Sequence, residues 1–442
     1  MRLTFVVHQF PPRFFTGTES YALAVGCELR RRGHDVDVFT LDPAFGEATG
    51  PWRESLETVD GLPVRRINYW AQVNRDWSRL EYRHPLLAET FGRHLRQRGT
   101  EVVHTFHLRH VGADLIDAAQ AAGCRTVVSL TDFWFLFPRV LLMRADGTPC
   151  DGPPEGPLGC LPCHAPELLR QLDEHPSRDQ ILQLHHHAPG CSKSGWDLAS
   201  QVATALDRPA YLRRQLLRAD ALVAPTRHLR EVFERNGIPV ARIAHASYGV
   251  DTTGIALGAA AVRGPRPLTF GFCGSFVEHK APHLLVAALA KVRGDCRLVL
   301  RGRPSDFPAY SGPLLAAAAQ DPRITVLPPF DRRDLPQVLG AIDVLVVPST
   351  WHENAPFVAL EAHAAGLPVL ASRFGGLAEV VRDEVDGELF PAGDIDDLAR
   401  RLQRLLDEPD RLQRYRAAVQ PPKTLAKAVD EFLAIYAPAA AR

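Results

Sequence analysis

Short, nearly uncharged apolar runs alternate with longer amphipathic stretches along most of this chain, and that alternation sets the expected architecture. In the first half the runs are LTFVVHQF, DVDVFTL, EVVHTFHL, TVVSLTDF and ALVAPT, and in the second LTFGFCGS, RLVLRG, ITVLPPF, DVLVVPS and PVLASR. A strand buried on both faces reads as such an unbroken run, so each half predicts a parallel, doubly wound α/β sheet covered by helices. Ligands of such sheets bind beyond the carboxyl ends of the strands. The residues that follow each run are therefore the candidates for chemistry.

The chain has 442 residues. That is too long for one ordinary core and fits two domains of about two hundred residues each. The segment 252–267, rich in Gly, Ala and Pro without a period, is expected to link an N-terminal domain at 1–251 to a C-terminal domain at 268–423, with a final helix in 424–442. Residues 133–210 break the alternation and read as an insertion.

The run Ile342-Asp343-Val344-Leu345-Val346-Val347-Pro348 leads into Trp351-His352-Glu353-Asn354-Ala355-Pro356-Phe357-Val358, and Glu361 follows. Asn354 is expected to cap a helix, with Pro356 in its first turn, where a missing N–H costs nothing. Unpaired amides over 355–358 would then suit a diphosphate. Glu353 is placed in the loop ahead of that helix and Glu361 about two turns inside it. Glu353 and Glu361 read as holders of a sugar and a ribose, or as ordinary helix-surface carboxylates.

Composition narrows the picture. Lys+Arg and Asp+Glu both total 51, so no global field draws the chain to nucleic acid, and membrane contact is expected to be peripheral at most. The basic residues are mostly Arg, which makes Lys280 conspicuous; its compact charge can follow a phosphate oxygen. No apolar run is long enough to span a bilayer, and MRLTFVVHQFPP reads as a first strand, so a cytoplasmic setting is expected. Cys160-x2-Cys163, with Cys150 and either Cys191 or His164, has the spacing of a structural zinc site; reduced thiols are the alternative. The acidic run GDIDD at 393–397 reads as a helix cap, not a metal clamp.

The Glu-x7-Glu spacing in PSTWHENAPFVALEAHAAGLPVLAS, followed by Gly375-Gly376 and Glu379, resembles the donor-site signature of the family 4 retaining glycosyltransferases. The resemblance extends to Gly17-Thr18-Glu19 ahead of LRRRGHDVDVFT and to Gly274-Ser275 with Lys280. It implies the GT-B fold: two facing Rossmann-like domains with a cleft between them, the last helix crossing back to the first domain. It also implies transfer, with retention, from a UDP- or GDP-linked sugar to a hydroxyl acceptor, with no cofactor or divalent ion.

In that reading Gly17 and Thr18 admit the diphosphate, Ser275 and Lys280 meet the leaving phosphate, Glu353 takes sugar hydroxyls and Glu361 the ribose. Asn354, Ala355, Pro356, Phe357 and Val358 complete the donor site, and backbone around Phe330 flanks the base. His107 is assigned to the sugar, with His104 as the alternative on the same strand; His104 is otherwise assigned to the acceptor, as is Asp132, unless Asp132 merely starts a turn. The chain departs from the family pattern at Thr18, Ser275, Phe106 and Phe137, where Gly, Arg, His and Cys are usual.

Loops 42–60, 70–90 and 133–210 would bind the acceptor, and Tyr69, Trp70, Trp77, Phe133, Trp134 and Phe135 either stack on its rings or pack in the core. Glycan, lipid-linked sugar and natural-product acceptors all stay open. An epimerase, a phosphorylase or synthase of the same fold, or a non-catalytic nucleotide-sugar-binding scaffold are the other functional readings.

Overall fold

The computed structural model describes residues 1–41, 52–69, 77–144, 146–152, 157–160, 163, 193–252, 254–255 and 266–437. The chain divides into two compact units, Met1–Ala246 with Ala426–Arg442, and Ser247–Leu425. No helix among the described residues is long and apolar enough to cross a membrane. Most of the expected linker, 252–267, lies outside the described residues.

In the first unit an eight-stranded sheet runs in the order β3-β4-β2-β1-β5-β6-β7-β8. Its strands are β1 (Arg2–Val7), β2 (Asp35–Leu41), β3 (Trp52–Val59), β4 (Leu62–Tyr69), β5 (Val102–Thr105), β6 (Arg125–Ser129), β7 (Ala221–Ala224) and β8 (Ile243–His245). All neighbours pair in parallel except β3 and β4. That pair is a hairpin in which Val59 faces Leu62, and its two-residue turn has positive φ at both Asp60 and Gly61. Asp-Gly suits such a turn. Residues 52–59 are therefore strand, which corrects the reading of 42–60 as a loop. The polar sequence of β3 carries no apolar run, because this edge strand is largely exposed.

The helix Leu425–Tyr436 contributes Phe432 and Tyr436 to this unit's core. His104, in the middle of β5, is fully buried between them and Phe5, with Nδ1 2.7 Å from the Tyr436 hydroxyl and Nε2 2.8 Å from Ser129 Oγ. Burial drives its pKa down to about 3. Both ring nitrogens are satisfied by the fold, so His104 is a core residue, and its assignment to the acceptor is corrected. Phe133, Trp134 and Phe135 are likewise buried; Trp134 Nε1 donates to Glu81 and its carbonyl accepts from Arg208, so these rings pack the core and do not await a ligand. The side chains of Tyr69, Trp70 and Trp77 lie outside the described residues.

Cys150 and Cys160 are part of the same core, and burial, followed by the neighbouring Cys163 and Cys150, pushes the Cys160 thiol up to about 12. Among the described residues no group of three or more His, Cys, Asp or Glu is gathered to hold a metal ion. Cys191 and His164 lie outside the described residues.

The second unit is an all-parallel six-stranded sheet in the order β11-β10-β9-β12-β13-β14, built from β9 (Leu268–Cys273), β10 (Cys296–Arg301), β11 (Ile324–Leu327), β12 (Val344–Val347), β13 (Val369–Ser372) and β14 (Gly387–Phe390). One face buries Phe270, Phe272, Leu298 and Leu300, the other Leu345, Val347, Val369 and Ala371. That two-sided burial is why these strands read as unbroken apolar runs. Asp394 caps the helix Ile395–Asp407 by accepting from Asp397 N at 2.8 Å, as expected for the GDIDD run.

Each sheet changes direction once. The order reverses between β1 and β5 in the first unit and between β9 and β12 in the second. Crevices at the carboxyl ends of such strand pairs are where open α/β sheets bind ligands.

Candidate functional site

In the second unit the two loops at the switch point converge. Beyond β9 the chain makes a single turn over Glu278–Lys280, then holds Ala281 at φ 52 before the helix Pro282–Leu289 begins. A buried alanine rarely adopts left-handed backbone, and here its N–H is fixed by Val277 O at 3.2 Å and Glu278 O at 3.0 Å. This kink turns Lys280 toward the loop after β12, which is tied alongside by Thr350 N donating to His279 O at 2.9 Å.

Lys280 Nζ donates to Glu353 Oε1 at 2.5 Å, and Ser349 Oγ donates to the same oxygen at 2.7 Å. The ammonium also lies 5.1 Å from the Trp351 ring centroid. Glu353 is 3% exposed. Burial by itself would raise its pKa, but the Lys280 charge and the bonds from Lys280 and Ser349 hold it below the usual carboxylate value. Next to this pair burial lowers His279 to about 4, with Lys280 adding to the effect, so the imidazole is neutral.

The Gly375-Gly376 pair after β13 packs backbone against backbone on the Glu353 loop. Gly376 N donates to Glu353 O at 2.5 Å, and a Cβ on Gly376 would fall 1.7 Å from Asn354 O. At Gly375, φ is +57 and a Cβ would meet Glu353 O at 2.6 Å. Only glycine fits at either place.

The helix itself starts later than the sequence suggests. It covers Phe357–Ala364 with Pro356 as the N-cap, so Asn354 is not the cap; Asn354 and Ala355 are buried in the preceding turn. Phe357 and Val358 supply first-turn amides, and Pro356 has none. The Phe357 ring is stacked on Tyr248 at 4.7 Å, so only its backbone is available for a ligand. Glu361 consequently stands about 6 Å along the axis from the first helical residue, not two turns in. It is 6% exposed and accepts from Arg332 Nη1 at 2.7 Å. Burial raises its pKa, and Arg332 offsets this only in part.

Beside Glu361, the ends of β10 and β11 enclose a cavity of about 520 Å³ lined by Arg301, Arg303, Phe330, Asp331, Asp334 and Gln337. Phe330 is partly buried, with the Arg301 guanidinium 6.0 Å from its ring centroid. Ser275 is exposed in the turn after β9.

The first unit has its own cluster at the β1/β5 switch point. Gly17 is the exposed first residue of the helix Gly17–Arg31, Thr18 is half-buried beside it, and Thr16 donates to the buried Glu19. Past β5, His107 accepts from Arg109 N through Nδ1 at 3.1 Å. Its proton therefore sits on Nε2, which lies 2.7 Å from Asp132 Oδ2. Asp132 also accepts from Trp134 N at 2.8 Å, so it both starts a turn and orients His107. The ring of His8, just past β1, is 4.1 Å from that of His107, and its Nε2 is 3.6 Å from Glu19.

Of the residues singled out from the sequence, Lys280 meets Glu353, and His107 meets Asp132, while Ser349, Arg332, His8 and Glu19 join Glu353, Glu361, His107 and His8 as partners that the sequence pattern did not mark. Ser349 and His8 each lie within two residues of a strand's end at a switch point, a signal that was available.

Comparison with known proteins bears on the family and the fold. The profile described as "Glycosyl transferase 4-like domain" matches residues 16–249, more than half of the chain, and that described as "Glycosyl transferases group 1" matches residues 261–420. The chain is similar to D-inositol 3-phosphate glycosyltransferases, 39% identical over 160 residues to that of Mycobacterium sp. (strain KMS), 35% of this chain and 36% of the relative. The Salinispora tropica protein is 38% identical over 157 residues, 33% of this chain and 32% of the relative. The match thus spans about a third of the length of these curated relatives. Among solved structures, sucrose-phosphate synthase from Thermosynechococcus elongatus superposes with TM-score 0.66 at 19% identity, over 98% of both chains. Anabaena Alr3699/HepE in complex with UDP superposes with TM-score 0.62 at 16% identity, over 98% of this chain and 99% of the other. These are likenesses of fold, and the fold is GT-B.

Proposed function

Because the chain belongs to the glycosyltransferase 4-like family, we propose that it is a retaining glycosyltransferase, moving a sugar from a UDP- or GDP-linked donor to a hydroxyl of a sugar-like acceptor in the cytoplasm, without a metal ion. The observation that carries this reading is the buried, ionised Glu353 paired with Lys280 at the β9/β12 switch point, with Glu361 one helical turn beyond the helix start. Retention rests on the family resemblance. The acceptor class takes its support from relatives that are named for an inositol phosphate.

The residues divide the work as follows. Donor binding exchanges partners: sugar hydroxyls donate to Glu353 in place of Lys280, and the freed ammonium moves to the leaving phosphate as negative charge develops there. The Phe357 and Val358 amides add partial positive charge on the same diphosphate. Ser275 carries no charge, so Lys280 and these amides bear that task together. Glu361 accepts from the ribose hydroxyls once Arg332 yields its place. The assignment of Gly17 and Thr18 to the diphosphate, and of His107, oriented by Asp132, to the transferred sugar, rests on the family resemblance alone.

Calorimetry against UDP, GDP and ADP tests the donor half of this reading. Glu361→Ala is expected to weaken the preferred nucleotide by about ten- to a hundredfold, as for a lost charged hydrogen bond, with kcat less affected. The same affinity should fall on acidification. The ribose needs the ionised carboxylate, and because the Glu361 pKa is raised, the loss begins at higher pH than for an ordinary glutamate and disappears in Glu361→Gln. Equal affinity in wild type and Glu361→Ala sinks the assignment. Transfer in excess chelator should match that without it; an absolute requirement for manganese or magnesium overturns the metal-independent part. Incubation with donor alone separates the epimerase reading, since an epimerase converts donor without acceptor.

A further inference from the structure

We propose that the cavity at the carboxyl ends of β10 and β11 reads a guanine base, which makes the donor GDP-linked. This rests on the nucleotide-sugar reading above and adds the base, which that reading leaves open. The argument starts at Asp334. It is the N-cap residue of the helix Leu335–Gly340, a position where an Asp side chain ordinarily takes a backbone N–H, yet this carboxylate makes no capping bond. It lines the cavity instead, and among the described residues it forms no ion pair. Its neighbour Asp331, by contrast, is paired with Arg333 at 2.9 Å.

The rest of the lining complements it. Arg301 and Arg303 come from the end of β10 and the turn beyond it, and Phe330 provides an apolar wall. A carboxylate and guanidinium forks around one planar ligand select by donor and acceptor pattern. Guanine offers adjacent donors, N1–H and N2–H2, to a carboxylate, and adjacent acceptors, O6 and N7, to an Arg fork. Uracil has one N–H flanked by two carbonyls, which a carboxylate meets with repulsion on both sides. Adenine has no donor pair for the carboxylate and no O6.

The cavity also lies where a base must lie if Glu361 holds the ribose. Arg332, which pairs with Glu361, belongs to the same 329–334 loop as Phe330 and Asp334. Burial pushes the Cys273 thiol, at the end of β9, up to about 12, and both Arg301 and Glu361 are near enough to act on it.

The test is calorimetry of the full chain with GDP, IDP, UDP and ADP, IDP being the guanine nucleotide without its N2 amino group. GDP is expected to bind at least about tenfold more tightly than IDP, UDP or ADP. Asp334→Asn should weaken GDP by about ten- to a hundredfold while leaving IDP within a few-fold, closing the gap between the two. UDP or ADP binding as tightly as GDP, or an undiminished GDP preference over IDP in Asp334→Asn, overturns the guanine assignment. If UDP binds and is lost in Glu361→Ala, the transferase reading stands and only the base assignment fails. If none of the four binds, both fail.

Discussion

Lys280→Met is expected to lower kcat/KM by about a hundred- to a thousandfold, the scale seen when one preorganised stabiliser of transition-state charge is removed, and to cost about 3 kcal/mol of stability. The two losses have different origins. Stability falls because Glu353, with its side chain only 4% exposed, keeps its burial and loses the cation 2.5 Å away, so an ionised carboxylate is left with neutral partners such as Ser349. Turnover falls because nothing else in the β9 loop carries positive charge to the leaving phosphate, Ser275 being neutral. A second substitution separates them. Lys280→Met combined with Glu353→Gln removes the unpaired charge and should regain most of the stability, since replacing both members of a buried pair is far milder than removing one. Turnover should stay low. Chemical denaturation and steady-state rates on the same preparations provide the check, and wild-type turnover in the single variant refutes the role given to Lys280.

Gly376→Ala should do comparable damage from a place that touches no ligand. The added methyl falls 1.7 Å from the Asn354 carbonyl oxygen, and because that atom is backbone, no side-chain rotation can relieve the clash. The Glu353 loop must shift by more than an ångström, which costs about 3 kcal/mol as overpacking and lowers kcat/KM by about a hundredfold through misplacement of Glu353. Gly92→Ala serves as the control. Gly92 lies inside the helix Pro85–Arg98, where the nearest atom to the added methyl is the end of the Arg96 side chain at 3.4 Å, so the exchange should be neutral or stabilise by about 0.5–1 kcal/mol. If the two alanine variants behave alike, close packing at Gly376 is not what holds the loop.

These two residues also show how far the sequence could be read. Gly375-Gly376 stood out as part of a family signature, but the reason for glycine, a carbonyl pressed against its α-carbon from a loop more than twenty positions earlier, exists only after β12 and β13 pair. Glu353 and Lys280 were legible as separate candidates. Their ion pair was not, because they are 73 residues apart and meet only through the order β9-β12. Helix starts misled in a simpler way. Asn354 is a good cap by propensity, yet the turn before the helix buries it, and Pro356 takes the cap with its fixed φ.

By itself the sequence determined the α/β class, most of the parallel strands, the Asp394 cap and the family, because two-sided burial writes apolar runs and because donor-site residues keep a fixed local spacing. The tertiary structure decided what depends on neighbours distant in the chain. It made β3 a strand at an exposed edge, paired to β4, where its own residues carry no apolar pattern. It placed His104 in the core and His107 at the strand's end, three residues apart, since a strand alternates its faces while burial also depends on position along it. It supplied Arg332 to Glu361 and Ser349 to Glu353. Local spacing records which groups a site uses; long-range packing fixes their partners and charge, and a linear pattern holds no trace of contacts made by chain reversal.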